Sequence, residues 1–291
     1  MEWESRLAGD RLSYYRRVYG HSRHWHPSEP IEGKRVMVYC EQGLGDSIQF
    51  ARWFPLLKAR GCELYLHCPA PLMRILGGMP CVDGVVDKAV TDLPAHHFHC
   101  LSFDLPFLLA DYSPKTEYPY LATDKTAEFE GDAFVIAVAW EGNPAHKRNA
   151  ERSCPLRHFA PLAEVPNAQL VSLHPARLTQ EYSEGAVFDV AEGVVETVED
   201  AMAVIKAADA VVTVDTLALH LAGAMGVPVI GLVDSEGDGR WSYKDNWYPT
   251  LTLVRQASAG DWEGVLRTAA SLVKGQAEVR SAGGRSARSC P

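Results

Sequence analysis

The sequence predicts an α/β fold in which buried parallel strands alternate with helices. Short apolar runs rich in β-branched residues recur along the chain, and such runs are typical of buried strands. Amphipathic segments that begin at N-cap residues and end at glycine stand between these runs. Two neighbouring strands joined through a helix run parallel, because the crossover returns the chain to the same edge of the sheet.

The composition indicates a globular protein. The chain has 291 residues, enough for two domains of ordinary size, with 47% apolar and 22% charged residues. A net charge of −9 argues against a general nucleic-acid binder. No apolar run approaches the length of about 20 residues that spans a bilayer, and the N-terminus lacks the apolar core of a signal peptide.

The seven cysteines are odd in number and show no paired spacing. This usage predicts reduced thiols and a cytoplasmic protein rather than a disulfide framework. Neither CxxC nor HExxH occurs, so these motifs give no metal signal. Two groups of histidines invite a metal interpretation, but their spacing favours surface or partly buried positions. These groups are His21, His24 and His26, and His96, His97 and His99.

The first α/β unit opens with a predicted strand at 34–40, a glycine-containing loop, a helix and a second strand at 62–68. Gly43 and Gly45 allow a tight loop, and Asp46 or Ser47 can cap the helix. A phosphate cradle would avoid the carboxylates of this loop, whereas a general base needs one. Glu41 and Asp46 are therefore candidates for a general base, and the alternative for Asp46 is a simple helix cap, a role that can coexist with catalysis.

Shorter elements follow as far as residue 128. We expect a helix at 71–76, a strand at 84–86 and a loop-rich stretch around HHFHCLSFDLPF. The polar, proline-interrupted stretch 117–125 indicates the approach to a domain boundary.

The second unit begins with a predicted strand at 133–140, which Gly142, Asn143 and Pro144 interrupt. The loop that follows concentrates positive charge in an acidic protein, through Lys147, Arg148 and Arg152. Three cations at the carboxyl end of a strand can hold a diphosphate. A solvated loop is the alternative. Further along we expect helices at 158–164 and 198–208 and strands at 169–174 and 186–190.

The stretch DAVVTVDTLALHLAGAMGVPVIGL predicts a strand at 210–214, a helix at 217–225 and a strand at 227–232. Asp215 and Thr216 are N-cap residues, and His220 follows Thr216 by one helical turn. Ligands of parallel sheets lie at such strand ends, facing helix N-termini that attract anions. We expect an anion or nucleotide site here, although His220 is also compatible with a core histidine.

The remaining chain contains Trp241 and Trp247, either pocket-lining or core residues, and then a strand and an amphipathic helix at 261–273. We expect residues 275–291 to form a disordered tail. The domains predicted are 1–128 and 129–274, two Rossmann-like units with parallel sheets that face each other across a cleft.

Four motifs in order carry a resemblance to a known family. They are EQGLGDSIQFARWFPLL, WEGNPAHKRNAERSCPL, VDTLALHLAGAMGVPVIGL and W…WYPTLTLVRQ. The chain resembles glycosyltransferase family 9, the heptosyltransferase-like group, over residues 2–274. It is most similar to bacterial proteins in which such a domain follows tetratricopeptide repeats.

The resemblance implies a GT-B fold whose first domain binds the acceptor and whose second binds a nucleotide-diphosphate sugar. It implies inverting transfer to a glycan, lipid-linked or protein hydroxyl, with neither a metal nor another cofactor. Nucleic acid is not expected as a partner, and peripheral association with a membrane stays open. Asp46 is the implied base. The implied donor-binding residues are Asn143, Lys147, Arg148, Arg152, Asp215, Thr216, Leu217 and His220.

The chain departs from the family pattern at Leu217, Asn149 and Ala150. Family members usually have Gly or Ala after the DT pair, and Leu217 crowds the approach to a phosphate. The alternative function is therefore a non-catalytic GT-B module that binds a nucleotide or glycan. A dinucleotide-dependent oxidoreductase fits less well, since no GxGxxG follows the first strand of either domain.

Overall fold

A computed structural model describes residues 22–112, 118–129, 131–175, 195–242 and 247–283. The chain divides into two compact units, Met1–Leu121 and Ala122–Pro291, here called the N-terminal and C-terminal units. Each unit contains one five-stranded sheet in which every strand pair is parallel. The predicted α/β architecture with parallel sheets is confirmed.

The sheet of the N-terminal unit has the strand order β1-β5-β2-β3-β4. Its strands are β1 (Arg23–His24), β2 (Arg35–Tyr39), β3 (Glu63–Cys68), β4 (Gly84–Asp87) and β5 (Phe98–Leu101). Its α-helices are α1 (Leu44–Phe50), α2 (Phe54–Lys58), α3 (Met73–Gly77) and α4 (Leu105–Leu108). The helix expected after the glycine loop is divided by a 3₁₀ turn, Ala51–Trp53, and Pro55 lies in the first turn of α2.

The sheet of the C-terminal unit has the strand order β10-β9-β8-β6-β7. Its strands are β6 (Phe134–Ala139), β7 (Ala168–Ser172), β8 (Ala210–Val214), β9 (Val229–Val233) and β10 (Leu251–Arg255). Its α-helices are α5 (Asn149–Arg152), α6 (Ala160–Ala163), α7 (Val198–Ala207), α8 (Leu217–Ala224) and α9 (Trp262–Gly283). The strand expected at 186–190 lies outside the described residues.

Each sheet changes winding direction once, and this position locates its crevice. In the C-terminal unit the chain leaves β6 for β7 on one side and then returns to β8 on the other side. In the N-terminal unit the same reversal lies between β2 and β5. Loops that follow strands on opposite sides of such a reversal diverge, and ligands of open α/β sheets bind there. The crevices therefore lie at the carboxyl ends of β6 and β8, and of β2 and β5.

Two expectations about secondary structure are wrong. The stretch expected to be loop contains β5, a strand buried along all four residues. The strand was not predicted because it contains His99, and a histidine is unusual in a short buried strand. Ser22 Oγ lies 2.8 Å from His99 Nδ1 and satisfies the hydrogen-bonding capacity of this ring nitrogen. The tail expected to be disordered is helical over 275–283, and residues 284–291 lie outside the described part of the chain.

Helix α9 extends beyond the predicted end at residue 273, and the contacts of its last turns explain why. Val273 and Ala277 are buried, and Arg280 follows on the same face. Arg280 Nη1 lies 2.6 Å from Asp209 Oδ2 and donates to the Ala133 carbonyl at 3.0 Å. Ala133 and Asp209 directly precede β6 and β8, so contacts with the sheet of the C-terminal unit reinforce the helix-forming propensity of these turns.

Histidines from separated segments gather around Tyr39 in the N-terminal unit. The rings of His67, His96 and His99 meet the Tyr39 ring edge-on at centroid distances of 5.1, 6.4 and 5.8 Å. His24 lies beside His99 at 5.4 Å. Among the described residues, no group of three or more His, Cys, Asp or Glu side chains is arranged to hold a metal ion.

Acid should destabilise the protein through His99. Burial, followed by the nearby His24 and His96, lowers the pKa of His99 to about 3, and burial lowers the pKa values of His67 and His96 as well. A histidine in the unfolded chain titrates near pH 6.5. Between about pH 3 and 6.5 the unfolded chain therefore binds more protons at His99 than the folded protein does. Stability should therefore fall as the pH drops from about 6.5 towards 3, by up to about 1.4 kcal/mol per pH unit through His99.

Urea unfolding at pH 7 and pH 5 measures this dependence. His99→Gln should reduce the difference between the two pH values, whereas exposed His26→Gln should leave it unchanged. An identical pH dependence in wild type and His99→Gln would show that His99 does not carry this linkage.

Candidate functional site

The loop after β2 positions Asp46 in the N-terminal unit. Helix α1 begins at Leu44 with Gly43 as its N-cap. Gly45, which we expect from the sequence to lie in the loop, therefore lies inside the helix. Asp46 is the third residue of the helix. Its Oδ2 accepts the Gly43 N–H at 2.9 Å, so Asp46 caps the helix N-terminus. Gln42 has a φ of 63°, in the left-handed region that non-glycine residues rarely adopt.

This geometry keeps both roles of Asp46 open. The capping bond uses Oδ2, and a carboxylate accepts further hydrogen bonds through its remaining lone pairs. Asp46 is half-buried and lies just past the carboxyl end of β2, at the crevice of its sheet. The unusual Gln42 backbone is the kind of local strain that clusters at functional sites.

In the C-terminal unit, Asp215 and Thr216 occupy the crevice at the end of β8. Thr216 is the N-cap of α8 in extended conformation, and Leu217 is the first residue of the helix. The N-terminal N–H groups of such a helix favour an anion. Burial raises the pKa of Asp215, and burial outweighs Trp241, Arg240 and Arg152, which favour the charged form.

The loop after β6 contacts the loop after β8 through Arg152. Arg152 Nη1 donates to the Asp215 carbonyl oxygen at 3.2 Å. A Cβ added to Gly142 would lie 2.2 Å from Arg152 Nη2, so the guanidinium rests against the Gly142 backbone. Arg152, which the sequence offered as a diphosphate-binding cation, therefore braces the loop after β6 against the end of β8.

Arg148 reaches the next strand end along the sheet. Its Nη2 lies 2.8 Å from Asp234 Oδ1, and its Nη1 donates to the Gly237 carbonyl at 3.2 Å. Lys147 is exposed, and the structure gives it no hydrogen bond or ion pair with any described residue. Asn143 Oδ1 accepts the Ala145 N–H at 2.9 Å and thereby stabilises the loop itself.

His220 has the environment of a core histidine. It is buried, its Nδ1 shares a hydrogen bond of 2.8 Å with Tyr248 Oη, and its ring stacks on Trp241 at 5.7 Å. Tyr248 packs so closely on α8 that a Cβ at Gly223 would lie 2.3 Å from the ring. His220 therefore supports the position of α8 through Tyr248 and Trp241.

The two tryptophans of this region differ in their contacts. Trp241 is buried against His220, whereas Trp247 is half-buried and donates its indole N–H to the Arg240 carbonyl at 2.8 Å. Trp241 thus has the core role that the sequence allowed, and it also borders Asp215.

The elements that build this crevice lie in a stretch that is similar to a known sequence family. Residues 196–258 match the model of glycosyltransferase family 9 (heptosyltransferase). This match includes β8, α8 and β9 with Asp215, Thr216 and His220. The described helices of the chain include none that is long and apolar enough to cross a membrane.

Two further comparisons extend over most of the chain. Protein FlbA of Caulobacter vibrioides is 22% identical over 84% of the chain and 47% of its own length, so the chain spans about half of that relative. E. coli ADP-heptose LPS heptosyltransferase II has a TM-score of 0.60 at 13% identity, covering 84% of this chain and 99% of that one. E. coli heptosyltransferase WaaC with ADP-2-deoxy-2-fluoro heptose has a TM-score of 0.55 at 14% identity, with the same coverage. The fold is that of these heptosyltransferases.

Two residues of this region, Asp234 and Tyr248, were not predicted from the sequence. Asp234 follows the apolar run of β9 directly, and this position is the signal for a strand end that could have identified it. Tyr248 was assigned to an aromatic segment without a partner, and nothing in the sequence pairs it with His220. Both contacts join segments that are distant along the chain.

Proposed function

We propose that this protein transfers a sugar from a nucleotide-diphosphate sugar to an acceptor hydroxyl, with inversion at the anomeric carbon and without a metal ion. The observation that carries the proposal is the crevice at β6 and β8. There the N-terminus of α8, Asp215, Thr216 and the cations of the preceding loop lie at one sheet edge. Such an edge suits a diphosphate and the sugar attached to it.

The proposed reaction assigns one role to each part of the site. Asp46 accepts the proton of the acceptor hydroxyl. At the same time the oxygen of that hydroxyl attacks the anomeric carbon from the face opposite the diphosphate. The bond between the anomeric carbon and the phosphate oxygen breaks, and its electron pair leaves with the nucleoside diphosphate. Positive charge and helix N–H groups stabilise the developing negative charge on that leaving group.

Asp215 and Thr216 are proposed to meet the donor through the side chain of Asp215 and the backbone of Thr216. The acceptor is a glycan, lipid-linked or protein hydroxyl, and we assign its binding to the N-terminal unit. We also propose a cytoplasmic location, in agreement with the six described cysteines, all of which are free thiols.

A thermal-shift screen over ADP, UDP, GDP and the corresponding nucleotide sugars tests donor binding. At a ligand concentration of 100 times Kd the bound state gains about 2.7 kcal/mol, which raises Tm by about 5–10 °C. We place ADP-linked sugars first, because ADP-heptose stands in the names of solved structures with a similar fold. NAD is included as the control for a dinucleotide site, and a rise in Tm with NAD alone, or with none of these compounds, would contradict the proposal.

The second candidate is a GT-B module that binds a nucleotide or glycan without turnover. It is favoured by Leu217, whose branched side chain stands at the first position of α8, where a phosphate would approach the helix. Calorimetry combined with a donor-hydrolysis assay separates the two functions. Binding together with release of nucleoside diphosphate supports transfer, whereas binding without release supports the module.

A further inference from the structure

The loop after β6 carries three cations whose surroundings differ. We call residues 142–152 the cationic loop. Its residues Lys147, Arg148 and Arg152 look equivalent in the sequence, as candidates for holding a diphosphate. In the structure, two of them are engaged by other strand ends and the third is not.

The two arginines attach the cationic loop at two neighbouring strand ends. Arg152 donates to the carbonyl of Asp215 after β8. Arg148 contacts Asp234 and Gly237 after β9, the next strand in the sheet. The loop is thus held at Arg148 and Arg152, and Lys147 directly precedes the first of these two attachments.

Asp234 is buried, and its Oδ1 accepts hydrogen bonds from Arg148 and from two backbone N–H groups. It is 7% exposed, and its Oδ1 accepts the N–H groups of Glu236 at 3.1 Å and Gly237 at 2.7 Å as well as Arg148 Nη2 at 2.8 Å. If Arg148 left for a diphosphate, a buried carboxylate would lose its charged partner. Removing one member of such a pair is costly, because the other charge stays desolvated.

Lys147 has no such competing partner. It is exposed, and the described part of the chain offers its ammonium group neither a carboxylate nor a hydrogen bond. A lysine is a mobile point charge that binds phosphate without demanding a fixed geometry. It reaches a ligand without breaking a contact of the folded protein.

We propose that Arg148 is a positioning residue, held by Asp234, which fixes the cationic loop so that Lys147, the cation that the family resemblance already implies, can meet the donor diphosphate. Asp234 thereby becomes part of the donor site without touching the donor. The inference rests on the proposed function, since it concerns how the same crevice receives a nucleoside diphosphate.

The sign of the effect of Asp234→Asn distinguishes positioning from direct binding. The asparagine Oδ1 keeps the bonds from Glu236 and Gly237 but removes the charge that holds Arg148. If Arg148 acts through Asp234, Asp234→Asn and Arg148→Gln should each weaken ADP, UDP or GDP binding by about tenfold, and the double variant should be no weaker than either. If Arg148 bound the diphosphate itself, Asp234→Asn would release it and tighten binding.

Calorimetry with whichever of these three nucleotides binds wild type provides the measurement, at several salt concentrations. Lys147→Gln should weaken binding by about tenfold and reduce its salt dependence, as expected when a charge partner is lost. Glu236→Gln is the matched control. Its carboxylate is 84% exposed and lies 3.5 Å from Arg148, so the affinity should remain that of wild type.

Thermal melting without nucleotide shows whether each variant is folded before binding is measured. Tighter binding by Asp234→Asn, or additive losses in the double variant, would overturn the inference and leave the proposed function intact. Failure of wild type to bind any of the three nucleotides would overturn both.

Discussion

Asp46→Asn should lower the rate of sugar transfer by about 10²–10⁴-fold, the usual contribution of a positioned general base. The amide oxygen of asparagine can still accept the Gly43 N–H, so the cap that Asp46 Oδ2 provides at 2.9 Å should survive in the variant. The proposed proton acceptor is lost, while the residues proposed to bind the donor in the C-terminal unit are unchanged. Release of nucleoside diphosphate measures the rate, and calorimetry measures donor affinity, which should remain near that of wild type.

Ser47→Ala serves as the matched control for the local structure of this loop. Ser47 Oγ donates to the Gly43 carbonyl at 3.1 Å, so its removal disturbs the same helical turn without removing a carboxylate. Transfer should stay within a few fold of wild type, because a single neutral hydrogen bond contributes only about 1 kcal/mol. Wild-type transfer by Asp46→Asn would mean that Asp46 only caps α1 and that another group accepts the proton.

Gly223→Ala should destabilise the C-terminal unit by about 1–3 kcal/mol, the cost of overpacking a close contact. Alanine is ordinarily favoured over glycine within a helix by about 1 kcal/mol. Here the added Cβ would lie 2.3 Å from the ring of Tyr248, which is fully buried and shares a hydrogen bond with His220. The ring cannot yield without breaking that bond, so steric conflict should outweigh helix propensity. Urea unfolding provides the measurement.

Gly275→Ala is the control for helix propensity alone. Gly275 lies in α9, and a Cβ there would have no neighbouring atom within 4 Å. We therefore expect a stabilisation of about 0.5–1 kcal/mol. If both variants were stabilised alike, the packing of Tyr248 against α8 would not have the tightness described above.

The repeating strand–helix pattern could be predicted from local residue properties. The apolar runs at β2, β6 and β8 alternate with capped helices, and these signals depend only on residues close together in the chain. The same local signals place Asp46, Asp215 and Thr216 at strand ends. In a parallel sheet such residues lie at the carboxyl ends of the strands, where ligands of open α/β sheets generally bind.

Elements whose stability comes from distant partners escaped prediction. Strand β5 contains His99, which is tolerated because Ser22, 77 residues away, satisfies its ring nitrogen. The last turns of α9 are stabilised by the contact between Arg280 and Asp209. Neither partner can be identified from the neighbouring sequence.

The charges of the cationic loop show the same division most directly. The sequence by itself determined that Lys147, Arg148 and Arg152 stand on one loop at the carboxyl end of β6, because spacing and strand periodicity are local properties. Only the tertiary structure decided that Asp234 holds Arg148 and that the Asp215 carbonyl receives Arg152. The reason is that β8 and β9 reach these positions through the order of strands in the sheet, and an ion pair forms between groups that are close in space, whatever their separation along the chain.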